Sequence, residues 1–286
     1  MHTTTEEDSA RVRRALRRSR LNIPMFPAAA QRVMAQLGNP HARTGHLAEI
    51  IESDGALATE VLRLANSPAF MGGNSITTVK RAVVQLGLGQ LRSLLFMTLH
   101  KALFPVGMYR QLQATYTHQA LAVAAACEAL STQIQWPNPE QAEASFLYGI
   151  LHNIGRFGLF GVIRQLQAEG ALPTPLAPEA IEAIIDRSYA ECGHAMAQSW
   201  KLPVVFEEVI AFHREPTLAS SRCRAPVALT HVAIALCASY GIGGVSCFGD
   251  EVERCPALPE LGLEVEHLDQ AADVAEARFE QLKEAF

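Results

Sequence analysis

Apolar residues recur along most of this chain at intervals of three and four, and no long run alternates apolar with polar. That period belongs to helices with one face turned to a core, and it leaves little to build a sheet from. The pattern predicts an all-α protein. Its first helix covers residues 9–20, with Ser9 as a cap, Glu6, Glu7 and Asp8 just upstream and arginines through the body. Acids at the start and cations further along suit the helix dipole. Further helices are expected over residues 27–37, 45–53, 56–65, 78–87 and 91–103, punctuated by Gly38, Asn39 and Pro40, by Asn66, Ser67 and Pro68, and by Pro105. These short elements define a first helical module over residues 9–107.

A second module, residues 108–286, opens on a long helix over 109–133. Alanine is dense there between Ala120 and Ala129, which favours the helix and permits close helix contacts. Trp136, Pro137, Asn138 and Pro139 break the chain, and a helix over 140–151 follows, ending at His152. Later helices are expected over 158–169, 178–186, 189–200, 203–213, 226–239 and 268–285. Residues 172–178 hold three prolines and read as a linker.

Composition narrows the function classes. A 49% hydrophobic and 19% charged chain of 286 residues can bury a sizeable core. A net charge of −5 argues against a nucleic-acid binder. The arginines at 11, 13, 14, 17, 18 and 20 then read as a solvated helix face, docked through Val12, Ala15 and Leu16. A helix-turn-helix around Gly87, Leu88 and Gly89 loses weight for the same reason. The uncharged stretch between Arg224 and Asp250 is long enough to raise a membrane span, but Pro226, His231 and the glycines at 241, 243 and 244 interrupt it. A buried helix with a glycine loop is expected, and no membrane association. Six cysteines without a Cys-x-x-Cys pair, and an N-terminus with no apolar leader, point to reduced thiols in the cytoplasm.

Five of ten histidines fall on helices of the second module: His118, His152, His194, His213 and His231. Four have informative neighbours. His118 lies on the long helix, His152 ends the run Phe146 to Leu151, His194 follows Gly193, and His213 follows Phe212. A neutral imidazole packs and hydrogen-bonds readily, so each also fits a core role.

The ordered set of these contexts resembles the HDOD family, a degenerate branch of the HD superfamily of metal-dependent phosphohydrolases. In the first module the resemblance rests on Ile51-Glu52-Ser53-Asp54, on Leu62 to Ser67, on Ile76, on Ala82 to Gly87, and on Leu91-Arg92. In the second it rests on Ala144 to Gly155, on Gly193-His194, on Trp200 to Pro203, and on His213 with Pro216. HD enzymes bind divalent ions through histidines and aspartates, and the ion activates water and neutralises phosphate oxygens. Where that family carries His-Asp, this chain has His152-Asn153. Asn153 offers a neutral amide oxygen in place of a carboxylate. Aligning Thr230 to Ala233 with the family places Ile234 at the second expected aspartate, and no aspartate occurs between Arg187 and Gly249.

The resemblance implies a bacterial signalling protein without catalytic activity, acting as a regulator or scaffold through protein contacts. His118, His152, Asn153, His194, His213 and Ile234 would form a relict pocket, with no catalytic residue, no metal and no cofactor. Implied partners are signalling proteins such as cyclic-di-nucleotide enzymes or response regulators, with a homodimer left open. Phe70 and Met71 are candidates for a partner contact, with packing between modules as the alternative. Two other readings stand beside this one: a weak metal-dependent phosphohydrolase or phosphodiesterase, and a nucleotide or anion sensor using the histidine pocket.

Overall fold

The computed structural model describes residues 2–17, 32, 44–67, 70, 75–87, 91, 109–246 and 251–285. Among these residues there is no strand, and the fold is all-α. The first elements are α1 (His2–Arg17), α2 (Thr44–Glu52), α3 (Gly55–Ala65) and α4 (residues 79–87). Asp54 starts α3 by accepting a hydrogen bond from the Leu57 amide at 3.1 Å. Asn66 bridges to the next segment, donating to the Ile76 carbonyl and accepting from its amide. The helices expected over 27–37 and 91–103 lie outside the described residues, apart from Arg32 and Leu91.

The second part is built on α5 (Arg110–Ser131), α6 (Pro139–Glu143), α7 (Ser145–Leu151), α8 (Ile154–Ala168), α9 (Pro178–Ser199), α10 (Val204–Phe212), α11 (Arg224–Tyr240) and α12 (Leu268–Ala285). Helix α5 is the hub, with α7, α11 and α12 packed around it. Its alanines do what their density implies. Gly149 of α7 lies so close to α5 that a Cβ there would meet the backbone of Ala124. Gly241, in a left-handed conformation at φ 72°, closes α11.

Three expectations are corrected. Helix α1 begins before the acids, so Ser9 is a fully buried mid-helix residue and not a cap. Asp8 is stabilised within the helix by Arg11 at 3.0 Å. Helix α1 packs on α9 and, less extensively, on α8, with Val12 and Leu16 buried. Residues 178–199 form one helix, because Arg187 and Ser188 carry no breaker and the period continues through them. Finally, α8 starts at Ile154, directly after Asn153, which places His152 and Asn153 at a tight junction between two buried helices. Residues 172–178 are a short connection inside this part, tied down by amides of Ala171 and Leu172 on the Leu166 carbonyl.

The span from Ser145 to Ala168 is long and apolar enough to cross a membrane by length and composition, yet 89% of its apolar window is buried inside the molecule. It is a core element here. The uncharged stretch after Arg224 forms α11 and a glycine turn, as its interruptions predict.

Candidate functional site

The α7–α8 junction places two polar side chains in the core. His152 and Asn153 are 5% and 1% exposed. His152 Nδ1 lies 2.6 Å from the Gly149 carbonyl, and since a carbonyl only accepts, Nδ1 carries the proton. Burial lowers the pKa of this imidazole to about 4, with the Gly149 bond opposing and the Arg156 charge reinforcing the shift. His213, at the end of α10, is fully buried, and its ring meets that of His152 edge-on at 5.3 Å. Its Nδ1 faces the carbonyls of Val209 and Ile210 at 3.1 Å, and its Nε2 accepts from the Tyr189 hydroxyl at 2.7 Å. Burial, then the neighbouring His152, keep it neutral far below the ordinary histidine range.

One turn beyond Asn153, Arg156 extends between two aromatic rings. Its guanidinium carbon is 4.6 Å from the centre of Tyr116 on α5 and 4.4 Å from that of Tyr189 on α9. Its Nη1 meets Asp186 Oδ1 at 2.7 Å, with the Asp186 side chain 57% exposed and that of Arg156 only 11%. Close backbone approach makes this possible. A Cβ at Gly155 would collide with the Tyr189 carbonyl and the Gly193 amide, so α8 and α9 nearly touch beside the arginine. Burial pushes the Tyr189 hydroxyl up to about 12, against the pull of Arg156.

Two buried polar atoms in this cluster lack a partner. Asn153 Nδ2 donates to the Tyr116 carbonyl at 3.0 Å, but its Oδ1 accepts nothing. The Tyr116 hydroxyl also has no hydrogen-bond partner. Burial raises the pKa of this phenol, and the Arg156 guanidinium, which lies over its ring, opposes the rise.

A family model for the HDOD domain matches residues 23–216. The chain belongs to the HDOD family. An uncharacterised protein of Treponema pallidum is 27% identical over 215 residues, which are 67% of this chain and 37% of that protein. The HDOD chain thus spans little more than a third of the curated relative it matches. Among solved structures, a provisionally assigned metal-dependent phosphohydrolase from Shewanella amazonensis superposes with a TM-score of 0.69 at 19% identity, covering 97% of this chain and 99% of that one. An HDOD domain protein of unknown function from Geobacter sulfurreducens gives 0.66 at 22%, covering 96% and 98%. A provisionally assigned signal transduction protein from Marinobacter aquaeolei gives 0.71 at 20%, covering 98% and 65%. At these identities the superpositions establish a shared fold.

A divalent ion of the HD type does not fit the donors in this cluster. Among the described residues no group of three or more histidine, cysteine, aspartate or glutamate side chains converges as a metal would need. His213 has both nitrogens engaged, Asn153 turns its amide nitrogen to a carbonyl, and the Arg156 cation lies beside them. A cation of that charge near an incoming metal ion is repulsive.

Of the residues singled out from sequence, the cluster gathers His152, Asn153 and His213. His118 faces elsewhere: two residues beyond Tyr116 on α5, it is turned about 200° away by helix geometry, and its ring meets Phe279 of α12 at 6.3 Å. His194 is half-buried on α9, beyond the Tyr189–Gly193 face that meets α8, and takes no part in the paired rings. Ile234 is a buried aliphatic on α11, 2% exposed. His231 donates from Nδ1 to the His213 carbonyl at 2.8 Å and ties α11 to the end of α10. Phe70 is partly buried against the core, with the Arg278 guanidinium of α12 5.3 Å from its ring centre, so it packs within the chain. Met71 lies outside the described residues. Tyr116, Arg156, Asp186 and Tyr189 were missed. Arg156 carried a signal, being the one charged residue between Glu143 and Arg164.

Proposed function

We propose that this HDOD protein is a cytoplasmic signalling regulator that works through protein contacts and does not hydrolyse phosphate esters. Membership of the HDOD family and the fold shared with a provisional signal transduction protein support the signalling part. The observation that carries the non-catalytic part is the Arg156 guanidinium, set between Tyr116 and Tyr189 beside His152. An HD hydrolase brings a metal cation to its histidines to polarise phosphate and activate water. Here a side-chain cation is built in, and the second imidazole is closed by Tyr189. A guanidinium can hold an oxyanion but cannot lower the pKa of a bound water as a metal does. Partners of the proposed kind are cyclic-di-nucleotide enzymes or response regulators, with self-association into a homodimer as a further form.

The test is metal content together with turnover. Protein purified from cells supplied with manganese and iron is expected to carry far less than one ion per chain. It is also expected to leave bis(p-nitrophenyl) phosphate and cyclic dinucleotides intact in manganese buffer. Stoichiometric metal with turnover abolished in His152→Ala would overturn the reading in favour of a phosphohydrolase.

A further inference from the structure

Charge is unevenly spread along this chain. Residues 251–285 hold ten carboxylates against three arginines and lysines, a net of −7, whereas the whole chain carries −5. This segment lies beyond residues 23–216, the part that matches the HDOD model. On α12, Asp269, Asp273, Glu276, Glu280 and Glu284 recur at intervals of four, three, four and four. That spacing sets them within about 80° of the helix circumference, and all five are exposed. Asp269 accepts from the Tyr240 hydroxyl and Glu280 pairs with Lys283; the other three have no side-chain partner among the described residues. Such a row costs the helix stability, because carboxylates three and four residues apart repel and those near its C-terminus oppose the dipole. Apolar groups stand beside it. Val274, 52% exposed, adjoins the row, Tyr240, 41% exposed, meets its first member, and Val265 precedes the helix. These are three of the six large apolar side chains exposed among the described residues, so acidity and exposed apolar surface coincide.

We propose that the solvent face of α12 is the docking site for a basic amphipathic helix of a partner protein. Lysines or arginines of that helix face the acidic row, and its adjoining apolar edge covers Val274 and Tyr240. Charge complementarity selects this occupant, since a surface of net −7 attracts a cationic partner and repels an acidic one. The 18 residues of α12 offer it a face of about 27 Å. The opposite face of α12 is already committed to the core, with Leu268, Ala275, Phe279 and Leu282 buried where the helix packs on α5. The proposal rests on the reading of this chain as a regulator acting through protein contacts, and it names the surface. Metal content and turnover test that reading, so the two fail separately.

The probe is a fluorescent synthetic helix of about 18 residues, with lysines at i, i+4, i+7 and i+11 beside a row of leucines. Its control has the same residues in scrambled order, which keeps the charge and removes the amphipathic face. Binding to the full-length chain is read by fluorescence anisotropy. Saturable binding of the ordered peptide is expected, about tenfold or more tighter than that of the scrambled one. Asp273→Lys with Glu276→Lys should weaken it by about tenfold or more. Glu49→Lys with Glu52→Lys makes the same charge change at the same spacing on α2 and should leave affinity within about twofold. Val274→Asp separates a built face from bulk attraction: added negative charge tightens a merely electrostatic contact, whereas loss of the apolar edge weakens the proposed one several-fold. No saturable binding of the ordered peptide, equal binding of both peptides, equal loss in the two charge-reversed pairs, or tighter binding in Val274→Asp would overturn the proposal. So would self-association of the wild type, read by sedimentation, that Asp273→Lys with Glu276→Lys abolishes, because a second copy then occupies the face.

Discussion

Two helix seams in this protein use the same device and obtain opposite results. Where α7 crosses α5, Gly149 brings the backbones together against Val123 and Ala124. Around Gly149 that seam is apolar, with Ala124, Ala125 and Ala126 almost fully buried. Where α8 meets α9, Gly155 brings the backbones equally close, but the seam carries Arg156, Tyr189 and Asp186. Close approach in the first case removes space and gives rigidity. In the second it fixes a charged group between aromatic rings, with polar atoms left unsatisfied beside it. A packed core has no need of those atoms, which makes the polar seam the candidate functional site.

The largest test of this contrast is Gly155→Ala. The new Cβ would meet backbone on α9, which cannot yield as a side chain does, so a loss of about 3 kcal/mol or more is expected. Gly149→Ala meets the Ala124 backbone and should cost a similar amount. If chemical denaturation shows Gly155→Ala to be near neutral, the polar seam is looser than described.

Acid separates the seams next. His152 is held neutral by burial at a pKa of about 4, against an ordinary 6.5, and His213 shifts the same way. The unfolded chain therefore takes up protons that the folded chain refuses. Stability is complete above about pH 6.5 and is lost as pH falls toward 4, by about 3 kcal/mol for His152 alone. Denaturation midpoints across that window measure it. A flat profile would contradict the buried neutral pair, whereas His213→Gln should flatten only part of the slope.

Smaller effects follow at the rings. Arg156→Met gives up two cation–aromatic contacts and one ion pair with an exposed carboxylate, about 2 kcal/mol in total. Tyr116→Phe removes an unpaired buried hydroxyl and should leave Tm unchanged or raise stability by up to about 1 kcal/mol. A clear loss in Tyr116→Phe would mean that the oxygen has a partner after all.

Much of the fold was legible because helix periods and breakers act locally. The last helix and the helix after Asp54 begin and end close to where their residues place them. The site was half legible. His152-Asn153 announced itself by family pattern, and His213 by order along the chain. What sequence could not supply was helix rotation: Tyr116 and His118 differ by two positions, yet one meets Arg156 and the other meets Phe279. Tyr189 and Asp186 stayed hidden because a break was placed between them, whereas one continuous helix sets them about one turn apart. Arg156 was visible as a solitary charge in an apolar run, and a buried charge calls for partners.

On the proposed reading, the built-in cation together with the lost carboxylates keeps this HDOD protein from metal-dependent hydrolysis. Calorimetric titration of manganese into Asn153→Asp, followed by a phosphodiester assay on the same sample, tests it most directly. No stoichiometric binding and no turnover are expected, because Arg156 and the Tyr189-bound His213 remain in place and Ile234 still supplies no oxygen. One manganese ion per chain with appreciable hydrolysis in that single variant would contradict it.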